Sequence, residues 1–185
     1  MKVLLTYFEP FGPYKVNVTK ECTKIIKHIL KNAGIRVKRL ELKVEPHELF
    51  KKLNRHNLDK YDYILMFGQT HTHNALEIEG HSTWYDDGKT YNPDICREKK
   101  LKITLKDTDA WQNNTGFKLD KTIGNYSCSL SYYISLCLTN KNEDTRVGFF
   151  HVNEKIGDKE KQTLASGIRD SILNKFSLQF WQTSF

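Results

Sequence analysis

No stretch of this sequence stays apolar for long enough to cross a bilayer, and no C-x-x-C pair or dense cysteine framework occurs. The first absence excludes a membrane-spanning helix. The second, with thiols only at Cys22, Cys96, Cys128 and Cys137, predicts free cysteines rather than disulfides. The short apolar start Val3-Leu4-Leu5 is followed by no small-residue cleavage site, so no signal peptide is expected and the cytoplasm is. Glycosylation sequons at Asn17, Asn113 and Asn125 then carry no weight, because that modification requires secretion. No repeat, low-complexity tract or linker interrupts the 185 residues, which predicts a single domain over 1–185 with a real core.

A net charge of +7 comes from lysines spread along the chain. Its basic cluster Arg97-Glu98-Lys99-Lys100 lacks an accompanying recognition helix or RNA-binding motif. The expectation is a solvated basic surface, with neither a nucleic acid nor a membrane as partner. His71-x-His73, Glu77, Glu79 and His81 gather imidazoles and carboxylates, but without H-E-x-x-H or another compact ligand spacing. They read as a polar loop, and neither metal nor cofactor is expected.

What is present is alternation of buried strands and amphipathic helices. Val3-Leu4-Leu5 and Tyr61–Gly68 ("YDYILMFG") read as covered strands, as does Val147–Phe150. Between them Cys22, Ile25, Ile26, Ile29, Leu30 and Ala33 form one helical stripe closed by Gly34. Val37, Leu40 and Leu42 suggest another strand, and Pro46 is placed to open a helix carrying Leu49, Phe50 and Leu53. Leu76-Glu77-Ile78 and Leu101–Leu105 alternate like half-exposed strands, a helix spans 128–139, and Asp158 is placed to cap a last helix. This order predicts an α/β fold, a three-layer sandwich with a mainly parallel twisted central sheet flanked by helices. Active groups in such folds gather at the carboxyl ends of strands, here just after Phe8, Gly68 and Phe150.

Cys128 falls on the first turn of its helix, where unpaired N–H groups favour negative charge and support a thiolate. Those groups can also receive the oxyanion formed when sulfur attacks a carbonyl. Cys22 and Cys137 lie in apolar stripes and read as core residues. Helix position alone fits a structural Cys128 equally well. His151 surfaces at the end of "VGFFH", where it can serve as a base or as a satisfied edge histidine. Glu79, in "ALEIEGH", can orient that ring or be an ordinary surface glutamate.

"VLLTYFEPFGPYKVNVT", "FGQTHTHNALEIE", "IGNYSCSLSYYISL" and "RVGFFHVN" follow one another in the order of four motif blocks. They resemble, respectively, an F-[ED]-P-F-G-G-x-x-x-N-P-[ST] loop after a strand, a glutamine turn leading to a glutamate, an A-G-x-Y-[LV]-C-N nucleophile block, and a G-F-[IL]-H-[VL]-P strand. On these residues the chain is similar to the pyroglutamyl-peptidase I (pyrrolidone-carboxylate peptidase) family over almost its whole length. The resemblance implies a metal-free cysteine peptidase acting on small peptides whose N-terminus is blocked by pyroglutamate. Cys128 would be the nucleophile, His151 the base and acid, and Glu79 the group holding the imidazole. Phe8 and Phe11 would sandwich the lactam ring, Asn17 and Gln69 would meet its polar edge or brace the loop, and Lys89 would complete the substrate-binding set.

Departures from the family pattern fall around that set. Tyr7 and Pro13 replace loop glycines, Val18 a proline, Lys89 an arginine, and Trp84 a small polar residue. The interval between Glu79 and Cys128 is also shorter, which leaves oligomeric state open. A second reading follows: a member that keeps fold and triad but has little pyroglutamyl activity, acting on another amide or binding without turnover.

Overall fold

The computed structural model describes residues 1–71, 76–83, 100–120, 126–140 and 142–182. Its elements in chain order are β1 (Lys2–Phe8), α1 (Val18–Asn32), β2 (Arg36–Leu42), α2 (Pro46–Arg55), a 3₁₀ turn (Leu58–Lys60), β3 (Tyr63–Thr70), β4 (Leu76–Glu79), β5 (His81–Thr83) and β6 (Lys100–Lys102). There follow α3 (Thr108–Thr115), β7 (Lys118–Asp120), α4 (Ser127–Thr139), β8 (Arg146–Asn153) and α5 (Asp158–Gln182).

Successive side chains of a strand face opposite ways. In β1, Val3 and Leu5 join one core and Leu4 and Phe8 another, and both cores exclude water. β3 divides in the same way, with Tyr63, Leu65 and Phe67 on one side and Ile64 and Met66 on the other. These strands must therefore be covered twice. Cys22, Ile26 and Leu30 of α1, Trp111 of α3 and Leu164 and Ile168 of α5 pack over the first face. Leu49 and Leu53 of α2 and Leu130 and Ile134 of α4 pack over the second. The result is the expected three-layer α/β sandwich.

The central sheet runs β2-β1-β3-β8-β4-β7. β1, β2, β3 and β8 are mutually parallel, whereas β4 runs antiparallel to β8 and carries β7 parallel to itself. β5 and β6 form a separate antiparallel ribbon. No helix of the described residues is long and apolar enough to cross a membrane.

Local chemistry sets the helix ends. Asn17 caps α1 by accepting from the Thr19 amide at 3.1 Å, and Gly34 leaves the helix with φ +77. Pro46 stands at the start of α2, where its missing N–H costs nothing. Asp158 was expected as the cap of α5 but is the helix's first residue. The preceding Gly157 amide instead donates to the Glu160 carboxylate at 2.7 Å.

Two further expectations need correction. Of the 101–105 segment only Leu101 and Lys102 are strand, within β6, because Thr104 leaves the ribbon to exchange hydrogen bonds with the Val147 backbone. Leu105 then packs against Gly148, where a Cβ would fall 2.3 Å from it. Cys137 is disulfide-bonded, while Cys22 and Cys128 are free. The partner of Cys137 lies outside the described residues, as does Cys96.

α3 approaches α5 through Gly167, where a Cβ would lie 2.0 Å from the Asn114 carbonyl oxygen. Backbone cannot yield as a flexible side chain can. Gly167→Ala should therefore lower stability by about 1–3 kcal/mol in urea denaturation. Unchanged stability would show that the two helices can part freely.

Candidate active site

The carboxyl ends of β1, β3 and β8 open into a cavity of about 570 Å³, with Cys128, His151, Glu79, Phe8, Phe11 and Gln69 in its wall. The second face of the sheet points Phe149 and His151 toward α4. Gly68 lies beside His151 in the parallel register of β3 and β8. A Cβ there would meet the Phe149 ring at 2.8 Å and Cys128 Sγ at 3.0 Å. The missing side chain of Gly68 thus makes the space into which the thiol is lowered. Sequence reasoning used this glycine only as the end of a strand; a glycine closing an otherwise fully covered apolar run was the available signal.

Two contacts fix the start of α4. Ser127 Oγ donates to the Val44 carbonyl, tying the helix to the segment after β2. The Tyr126 side chain forms no capping bond, so it does not consume the first-turn amides. Cys128 is partly exposed at this end.

Antiparallel pairing of β4 with β8 brings the acids in. Glu77 lies opposite His151, and Ile78 opposite Phe150. With Ile78 turned into the core, Glu77 and Glu79 share the other face, one directly across from the imidazole and one diagonal to it. Glu79 is only 1% exposed and bonds His151 Nδ1 through Oε1. A carboxylate can only accept, so Nδ1 carries hydrogen. The ring also hydrogen-bonds Cys128. Burial disfavours the charged imidazole, yet the bonds and charges of Cys128 and Glu79 more than offset it and raise the His151 pKa from 6.5 to about 10. For Glu77, burial first and then the charges of Asp120 and Glu79 hold the carboxyl above its ordinary range, against the pull of His151.

The remaining candidates divide. Phe8 and Phe11 face the cavity as an apolar wall. Asn17 is absent from that wall: its Oδ1 accepts from Thr19 N and Oγ1, and its Nδ2 donates to the Glu9 carbonyl. Gln69 reaches the wall, but its Oε1 is taken by the Val18 amide at 2.9 Å. Asn17 and Gln69 brace the loop that carries Phe11. Lys89 and Trp84 lie outside the described residues, as do His73 and the side chain of His81. His71 lines the same cavity as Glu77 and Glu79, but it stacks on Tyr14 at 4.9 Å and bonds Glu154 at 2.9 Å. Tyr7 turns away from the cavity to lie beneath the Arg39 guanidinium.

Tighter proton binding by folded His151 stabilises the fold fully below about pH 6.5, and this contribution fades as pH rises through about 10. Urea stability should decline across that window, and His151→Asn should flatten the decline; an equal slope in both proteins would refute the linkage. Gly68→Ala should displace the thiol and slow its alkylation by iodoacetamide at least about tenfold, since overpacking here meets ring and sulfur together. Wild-type labelling would show that the sulfur has room to spare.

No protein-family model matches the chain. Two proteins named pyrrolidone-carboxylate peptidase align along most of it. The one from Staphylococcus carnosus is 24% identical over 185 residues, spanning 89% of this chain and 86% of its own. That from Fusobacterium nucleatum is 25% identical over 168 residues, spanning 82% and 77%. Among solved structures, pyrrolidone carboxyl peptidase from Thermococcus litoralis superposes with a TM-score of 0.73 at 18% identity, covering 100% of this chain and 96% of that one. A mutant of the Pyrococcus furiosus protein gives 0.73 at 23%, covering 95% and 100%. Identities this low show a shared fold. Together with the sequence matches, that fold makes the chain similar along most of its length to proteins named pyrrolidone-carboxylate peptidase.

Proposed function

We propose that this protein is a cysteine peptidase that removes N-terminal pyroglutamate from small peptides. The observation that carries the reading is the continuous chain from Glu79 through His151 to Cys128, at the rim of a cavity walled by Phe8 and Phe11. The names of its relatives support it.

In this reading the lactam lies against the phenyl rings, which suit its CH₂ groups. The Cys128 thiolate attacks the carbonyl, a C–S bond forms, and the carbonyl electrons move onto oxygen. First-turn amides of α4 receive that negative charge. As the tetrahedral adduct collapses, the C–N bond breaks and His151 gives its proton to the departing amine. Water then adds to the thioester while His151 takes its proton, and rupture of the C–S bond releases pyroglutamate and restores the thiol. Glu79 holds Nδ1–H throughout, which leaves Nε2 to exchange protons at the reacting atoms. Lys89 enters as the cation that stands in place of the family arginine.

A nucleophile that works only as a thiol suits a reducing compartment, so the reading includes the cytoplasm. The Cys137 bridge pulls the other way.

A pyroglutamyl amide of a fluorescent amine should be cleaved, and the matching prolyl amide should not. Cys128→Ala should lower kcat by roughly 10⁴-fold or more, and Glu79→Gln by about 10²–10⁴-fold. Retained turnover by folded Cys128→Ala would remove the mechanism. Silence from the wild-type protein with its thiol reduced would shift the reading to another amide or to binding without turnover.

A further inference from the structure

Glu77, Glu79 and His151 each offer a ligand atom, and these atoms lie within 4.8 Å of one another. Peptidase chemistry uses two of the three. Glu77 has no part in it, yet lines the same cavity directly across the strand pair from the imidazole. A second observation is independent of this grouping. Glu79 Oε2 is buried and lacks a hydrogen-bond partner among the described residues, while Oε1 is spent on His151. A carboxylate oxygen without water or a donor is costly, and a cation is the partner that would relieve it.

We propose that these three residues form a reversible binding site for a divalent ion of the zinc class, which blocks the reactive centre rather than serving it. Imidazole nitrogen and carboxylate oxygen are both zinc donors, and Cys128, already hydrogen-bonded to His151, places sulfur beside them. Mg²⁺ and Ca²⁺ prefer a fuller shell of oxygens, so the histidine selects against them. The ion needs a neutral imidazole and so displaces the proton that His151 shares with Glu79. A histidine so engaged can no longer exchange a proton with the thiol. The site differs from the His71-x-His73 grouping in the sequence, since His71 is bound to Tyr14 and Glu154 instead.

Binding stands apart from the peptidase reading; only inhibition rests on it. Zn²⁺ titrated by calorimetry into the Cys128→Ala protein tests the ligand set without the thiol. One ion should bind, Mg²⁺ should not compete, and His151→Ala should abolish the signal. Glu77→Gln and Glu77→Thr should each weaken Zn²⁺ by about 10–100-fold, whereas His71→Ala should leave it unchanged. In the wild-type protein Zn²⁺ should also slow alkylation of Cys128, with chelator restoring the rate. No binding to Cys128→Ala, equal affinity in both folded Glu77 variants, or loss on removing His71 would each overturn the proposal, whatever the amide assay shows.

Discussion

A carboxylate at 1% exposure beside an imidazole is the interaction on which the site depends. Taking Glu79 out of water costs several kcal/mol, and its attraction to His151 is what offsets that cost. The pair also fixes the ring, since only Nδ1 can meet the acid. The backbone supplies the rest. β4 pairs antiparallel with β8, and this pairing sets Glu77 and Glu79 on the face where His151 emerges. Ile78 in the core secures that register, because a slip of one residue would bury both acids among Phe150 and Trp111 and expose the isoleucine. Tyr132 of α4 adds a tie by donating to the Glu79 carbonyl.

The second requirement is a place for sulfur. A strand end crowded by Phe149 and His151 could not receive a helix tip without a gap, and Gly68 is that gap. α4 itself is almost wholly buried and has its apolar and hydroxyl side chains on every side. Ser131, Ser135 and Thr139 return their hydroxyls to carbonyls three or four residues back, so they enter the core without unpaired polar atoms. A helix so enclosed is a firm mount for Cys128 at one end, and the Cys137 bridge fastens the other.

How much of this the sequence discloses follows from where each element finds its partners. α1 and α2 bury a stripe of their own residues and are visible in periodicity alone; β1 and β3 are visible as covered runs. α3 is different: in "TDAWQNNT" only Trp111 and Thr115 are buried, and the helix exists because Asp107 caps it and Gly167 admits it to α5. β7 has three residues and is strand only by pairing with β4. Burial of Glu79 is likewise conferred by β8 and α4, so its local pattern resembles that of a surface glutamate. Asn17 and Gln69 were legible as loop residues near the site, but amide side chains do not announce which backbone group they will serve. Cys137 sat in an apolar stripe, and nothing in that spacing hinted at a bridge.

Electrostatics gives the site a tension the fold does not resolve. The protein carries +7 overall, yet Glu77 and Glu79 line the cavity beside His151, and Asp120 and Glu79 both press on Glu77. Negative charge there favours the imidazolium, the form that in the proposed reaction would give its proton to the leaving amine. Glu79 is compensated through the ring. Glu77 adds repulsion without a bond to His151 of its own. In the proposed site a cation among the three ligands would remove that repulsion and silence the histidine in one step.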